Sequence, residues 1–199
     1  MRRKTFDALL STGGLVIAAV LLIAGFLLTW GSNFAADNVS TQLSQQNITM
    51  PAAAALETQA QKDALLQYAG QQMTTGDQAK AFADHYILVH MNAASNGRTY
   101  NAVSGEYLKM VKDPNADKAQ VAQLGDLRQT LFMGNTLRGL LLNAYAFGTM
   151  GTIALYGAIA SFVGAAVFLV LGLLGLRHAK TAKDVRAATV ETPRVPQTA

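Results

Sequence analysis

The sequence predicts an all-α membrane protein, in which two transmembrane helices enclose a helical bundle domain. Hydrophobic residues make up 51% of the 199 residues and charged residues only 14%, whereas about 25% is usual in soluble domains. The charges avoid two segments altogether, residues 8–36 and 139–176. Between these segments, no stretch alternates apolar and polar residues as a half-buried strand would, so we expect no sheet.

The pattern of charge divides the chain into five predicted segments. Residues 1–7 form a basic cytoplasmic N-terminus, and residues 8–31 form transmembrane helix 1. Residues 32–138 form an extracytoplasmic helical domain. Residues 139–176 form an outward helix extension followed by transmembrane helix 2, and residues 177–199 form a basic cytoplasmic tail that we expect to be disordered.

The first apolar run, from Ala8 to Trp30, has the roughly 20 residues that a membrane span requires. A cleavable signal peptide is the alternative. Its apolar region would usually have only about 7–15 residues, and no small-x-small cleavage site follows this run. Trp30 stands where an interfacial aromatic anchor is usual. We therefore predict a retained anchor, which continues outward as a helical stalk to about Gln46.

The second apolar run, residues 139–176, is too long for a single span. As one helix it would measure about 57 Å, against about 30 Å for the hydrocarbon core. Residues 153–176 are nearly all apolar and form the better span. The preceding residues are therefore expected to lie outside the bilayer.

Basic residues predict the orientation. The predicted topology anchors are Arg2, Arg3, Lys4, Arg177, Lys180 and Lys183, together with the aromatic Trp30. Because cytoplasmic flanks carry an excess of Lys and Arg, both termini should lie in the cytoplasm and the protein in the cell (plasma) membrane. Residues 32–138 are nearly neutral, with no basic stripe, so we expect no nucleic-acid partner.

Helix start and stop signals subdivide the domain between the spans. They predict a first helix from Pro51 to a C-cap at Gly70, and a second from a capping box at Thr75–Gln78 to Asn96–Gly97. A third helix is predicted over residues 100–112. A fourth begins at Ala116, with Gly134–Asn135 as a candidate interruption. The bundle is expected to depend on packing alone, because the chain has no cysteine.

Five polar residues form a stripe at the start of the second run. They are Arg138, Tyr145, Thr149, Thr152 and Tyr156, and at 100° per residue they lie within about 60° of one another. The stripe either faces water and headgroups beside the outer domain, or forms a polar helix–helix seam or water-lined path into the membrane. No charge follows Arg138 within the run, which argues against an ion pathway.

A second candidate interface consists of small residues. Gly157, Ser161 and Ala165 recur every four residues, a spacing that permits close approach of two helices in a membrane.

The sequence indicates no catalytic, cofactor-binding or metal site. His85 and His90 stand about 140° apart around one helix, so they cannot bind one ion from that helix alone. Asp84 adds a carboxylate, but a site with two histidines and a carboxylate requires all three to converge. The glycines fit no phosphate-binding motif. We therefore expect a protein that is not an enzyme and has no cofactor.

Three stretches resemble a known family. They are MRRKTFDALL at residues 1–10, GQQMTTGDQAKA at 70–81 and TLRGLLLNAYAF at 136–147. Together they resemble an actinobacterial family of two-span membrane proteins of unknown function. Members often carry the name of an aromatic ring-opening dioxygenase subunit. The resemblance implies the two-span topology, whereas extradiol ring opening would need an iron site that these residues do not provide.

The expected function is that of an accessory or scaffold subunit, whose outer domain binds an envelope partner or a second copy. The expected partners are the lipid bilayer and a membrane protein or homo-oligomer. The alternative is a sensor-like or small channel-forming protein. A channel needs a polar face along its whole span, yet the polar stripe stops at Tyr156, and the short basic tail offers no output module for a receptor.

Overall fold

The computed structural model describes residues 3–181, apart from the side chain of Arg3, and it is all-α over that range. Six α-helices follow one another: α1 Arg3–Gln45, α2 Gln59–Leu65, α3 Gly76–Phe82, α4 Leu88–Ser95, α5 Tyr100–Met110 and α6 Lys118–Thr181. A π-helical segment, Ala83–Ile87, joins α3 to α4. No strand occurs between residues 3 and 181. Arg2, Lys183 and most of the predicted tail lie outside the described residues.

Several predicted helix ends are confirmed. The Thr75 side chain accepts a hydrogen bond from the Gln78 amide, while the Gln78 side chain accepts one from the Thr75 amide, which completes the capping box of α3. At the end of α4, Asn96 has a φ of 53° and Gly97 a φ of 74°. This left-handed backbone ends the helix, and Asn and Gly tolerate it best.

Two predicted helix boundaries are wrong. Residues 52–69 do not form one helix, because Thr58 and Gln61 form a second capping box, and α2 begins only at Gln59, eight positions after Pro51. Helix α6 runs through Gly134 without interruption. A Cβ at Gly134 would lie 2.6 Å from Sδ of Met91, so this glycine permits close packing and does not end the helix.

The chain divides into two compact units. Within the described residues, the first unit, here the helix pair, comprises residues 3–28 and 157–181. Within it, the N-terminal part of α1 packs antiparallel against the C-terminal part of α6. Small buried residues recur every seventh position on both helices: Ser11, Ala18 and Gly25 on α1, and Ala158, Ala165, Gly172 and Ala179 on α6. A seven-residue repeat is the seam of a left-handed helix pair.

Large side chains of one helix lie so close to the backbone of the other that only small residues fit opposite them. A Cβ at Gly25 would lie 2.8 Å from the Phe162 ring, and one at Gly172 would lie 2.8 Å from Leu15. The rings of Phe26 and Phe162 meet edge to face at 5.3 Å. The seam therefore leaves no room for larger side chains at the two glycines.

The second unit, here the central domain, comprises residues 29–156 and contains two hydrophobic clusters. The larger cluster joins α1 to α2, α3 and α6 through Val39, Leu43, Met50, Leu56, Leu65, Met73, Ala79, Phe82, Ala83 and Leu141. The smaller one joins α4, α5 and α6 through Met91, Val103, Leu124 and Leu131. The larger cluster holds α3 against α6.

Candidate binding cavity in the central domain

A cavity of about 640 Å³ lies within the central domain, between α1, the start of α3 and α6. Its polar lining comes from all three elements: Ser32, Asp37 and Ser40 from α1, Thr74, Thr75 and Asp77 from the start of α3, and Tyr145, Thr149 and Thr152 from α6. Ala36, Val39 and Leu155 are among the apolar residues that line it. The cavity therefore combines hydroxyls and two carboxylates with an apolar wall.

Glycines bring the walls of the cavity together. A Cβ at Gly76 would lie 3.0 Å from Cα of Tyr145 and 3.1 Å from the carbonyl oxygen of Ala144. A Cβ at Gly151 would lie 3.0 Å from Cβ of Ala35. Since backbone atoms on the facing helix cannot rotate away, side chains at these positions would push the walls apart.

The hydroxyls on α6 are oriented by their own helix. Thr149 Oγ1 donates to the carbonyl of Tyr145 at 2.9 Å, and Thr152 Oγ1 donates to the carbonyl of Gly148 at 3.1 Å. Each hydroxyl has a single hydrogen, so only its lone pairs remain for the cavity. The α6 wall therefore offers hydrogen-bond acceptors from these two residues.

Ser32 is the buried polar residue of the lining. Only 8% of its surface is exposed, and its hydroxyl forms no hydrogen bond with any other residue between 3 and 181. The large majority of buried polar side chains have a partner. The Ser32 hydroxyl thus has unused hydrogen-bonding capacity at the cavity wall.

An ion-pair network lies next to the cavity. Asp84, in the π-helical segment, accepts from Lys80 Nζ at 2.5 Å and from Arg138 Nη2 at 2.7 Å. The hydrogen bond from Lys80 lowers the pKa of Asp84; burial opposes this effect and Arg138 adds to it. Lys80 Nζ also lies 5.3 Å from the centre of the Tyr145 ring, so the network supports one wall of the cavity.

The structure separates the polar stripe into three parts. Arg138 pairs with Asp84, whereas Tyr145, Thr149 and Thr152 line the cavity. Tyr156 is 68% exposed and does not line it. Within the central domain, the middle of the stripe therefore faces a polar cavity shared with α1 and α3.

The other predicted interface residues and anchors belong to the long helices. Ala165 is buried in the seam, a Cβ at Gly157 would lie 3.2 Å from Cδ1 of Leu28, and Ser161 is half-buried. Lys4, Arg177 and Lys180 are exposed. Trp30 is exposed and stacks on Phe34, with ring centres 5.8 Å apart.

Sequence reasoning did not identify the residues opposite the stripe. Asp37 is the first charge after the apolar run, and Asp77 lies inside the Thr75 capping box, so both have local signals. The convergence of Asp77 with Tyr145 depends on the packing of α3 against α6, and that of Asp37 depends on the position of α1 beside them. In the part of the chain that the structure describes, no three His, Asp or Glu side chains form a group that could hold a metal ion.

The chain matches no protein-family model, no curated protein and no solved structure.

Proposed function

We propose that this protein is a two-span plasma-membrane protein with cytoplasmic termini, acting as a non-enzymatic accessory or scaffold subunit. Its central domain would lie outside the membrane and bind a membrane protein of the envelope. The observation that carries the accessory role is a long, uncharged and uncovered apolar face on α6 in the central domain.

The membrane location rests on how little of the two apolar helices is covered. Both α1 and α6 contain segments long and apolar enough to span a bilayer, and only 11% of each such segment is buried. The core helix of a soluble protein would be mostly buried. Large apolar side chains such as Leu10, Phe26 and Leu171 are instead exposed, which is what lipid contact requires.

The α6 apolar face consists mainly of large apolar side chains exposed on one side of the helix, with Thr136 and Asn143 as exposed polar residues among them. Its members are Phe132, Met133, Leu137, Leu140, Phe147 and Met150. They extend over about 27 Å and lie within about 140° of the helix surface. The one charged residue in this stretch, Arg138, is paired with Asp84 on another side of α6. We therefore propose that the occupant of this face is an apolar helix of the partner.

Purification from native membranes tests the proposal. A tagged chain in mild detergent should bring down a defined membrane protein. Leu140→Lys, which places a charge at a 64%-exposed position in the middle of the face, should abolish that association. Leu108→Lys alters a comparably exposed leucine on α5 and should retain the partner.

Two outcomes would contradict the proposal. One is recovery of the same proteins with Leu140→Lys as with the unmodified chain. The other is a pure homo-oligomer that conducts ions in planar bilayers, which would favour the channel alternative.

A sensor-like role is the second candidate function, and the cavity of the central domain is the observation that favours it.

A further inference from the structure

We propose that the cavity of the central domain binds a small organic cation, namely an aliphatic amine with a short apolar chain. This inference goes beyond the accessory role, and it does not depend on the α6 apolar face or on the membrane orientation. It rests on the charge of the lining, the direction of its hydrogen bonds, one unpaired hydroxyl that faces the cavity, the volume of the cavity and the apolar part of its wall.

The charge of the lining is negative. Asp37 and Asp77 are among the lining residues, and no Lys, Arg or His is. Within residues 3–181, the ion pairs involve Asp84 and Glu106 as acids, so neither lining carboxylate is neutralised by one. Lys80 lies near the Tyr145 ring, but its ammonium group is paired with Asp84.

The hydrogen-bonding groups favour a ligand that donates. Ionised carboxylates only accept hydrogen bonds, and the Thr149 and Thr152 hydroxyls have already used their hydrogens on backbone carbonyls. An ammonium group provides three donors and no acceptor. It is therefore complementary to these four side chains in both charge and hydrogen-bonding direction.

Ser32 is an independent sign of a ligand. The residue is only 8% exposed, it lines the cavity, and its side chain has no hydrogen-bond partner in the described part of the chain. Its hydroxyl is not among the fully enclosed unpaired atoms of the described residues, which are Ser95 Oγ and Arg138 Nε, so it stays accessible from the cavity. A bound N–H group would supply the missing partner.

The size and apolar wall define the rest of the ligand. A volume of about 640 Å³ falls within the range of roughly 300–1,000 Å³ that is usual for small-molecule sites. Val39 and Leu155 provide apolar surface for a short alkyl chain. The two carboxylates are not joined by a third His, Asp or Glu in the described residues, which favours an amine over a metal ion.

Calorimetric titration of the purified full chain with hexane-1,6-diamine tests the proposal. Binding should be saturable with one diamine per chain, and hexane-1,6-diol, the neutral analogue, should bind at least about tenfold more weakly. Both carboxylates are exposed, so Asp37→Asn and Asp77→Asn should each weaken diamine binding about two- to fivefold, the scale of an ion pair at the surface. Asp126→Asn removes an exposed carboxylate outside the lining and should leave the affinity unchanged.

Circular dichroism of each variant shows whether a loss of binding reflects a loss of fold. A folded Asp37→Asn variant that binds the diamine like the unmodified chain would overturn the proposal, as would absence of saturable binding to the unmodified chain. Binding of Mg²⁺ in the cavity without binding of the diamine would also overturn it, assigning the site to a metal. None of these results would affect the partner experiment with Leu140→Lys.

Discussion

Arg138 and Asp84 lie 54 positions apart in the sequence, and a 2.7 Å hydrogen bond between Nη2 and Oδ1 joins them. The bond ties α6 to the π-helical segment between α3 and α4. Lys80 occupies the other carboxylate oxygen, so one acid holds two cations. The side chains of Arg138 and Asp84 are only 29% and 19% exposed, which limits screening of this pair by solvent.

Removing the Asp84 charge should destabilise the central domain. Asp84→Asn breaks both ion pairs and leaves Arg138 partly buried without its counter-charge, so we expect a loss of about 1–2 kcal/mol in unfolding free energy. Glu106→Gln breaks the exposed pair with Arg98 and should cost less than about 0.5 kcal/mol. Denaturant titration followed by circular dichroism measures both, and equal losses would contradict the special role of Asp84.

The same carboxylate should make stability depend on pH. The pKa of Asp84 is lowered from its ordinary value of 3.8, first by the hydrogen bond from Lys80. Its contribution is therefore fully present above the unfolded pKa and is lost as pH falls from about 3.8 through the lower folded pKa. Unfolding free energies across this acid range should fall less in Asp84→Asn than in the unmodified chain. Parallel curves would argue against the ion pair.

Gly76→Ala should weaken the contact between α3 and α6. The added Cβ would meet the backbone of Tyr145 at 3.0 Å, so we expect a loss of about 1–3 kcal/mol, the usual range for overpacking. Gly105→Ala, in α5, meets nothing within 4 Å and should be neutral or stabilising by up to about 1 kcal/mol. Thermal unfolding compares the two, and an unchanged melting temperature for Gly76→Ala would contradict the tight approach.

Gly172→Leu should separate the helix pair. A Cβ at Gly172 would lie 2.8 Å from Leu15 and 3.1 Å from the carbonyl oxygen of Ser11, whereas one at Gly13 meets nothing within 4 Å. Disulfide crosslinking between paired cysteines at Ala18 and Ala165, both buried in the seam, should fall in Gly172→Leu and persist in Gly13→Leu. Equal crosslinking would show that the seam tolerates bulk.

Cysteine labelling should report the proposed orientation, because the chain contains no cysteine. Ala122 and Thr181 are both exposed. In intact cells, Ala122→Cys should react with a membrane-impermeant maleimide and Thr181→Cys should react only after lysis. The reverse pattern would place the central domain in the cytoplasm.

Local signals in the sequence predicted much of the fold, and long-range packing accounts for the rest. The Thr75 capping box and the Asn96–Gly97 helix end depend on neighbouring residues, so sequence reasoning found both. Gly134 was interpreted as a candidate interruption because its packing partner, Met91, is distant in sequence. For the same reason, the stripe residue Tyr145 could be identified, whereas its meeting with Asp37 across the cavity could not.

The seven-residue repeat of small side chains has a consequence for the entropy of assembling the helix pair. Glycine and alanine lose essentially no rotamer freedom when they are buried, whereas a long side chain loses up to about 2 kcal/mol. Ala18 and Ala165 therefore contribute contact between the two helices without any loss of rotamer freedom of their own. The rotamer freedom lost in the seam is confined to the larger side chains that pack on its glycines, such as Leu15 and Phe162, and the dispersion attraction gained along the seam opposes that loss.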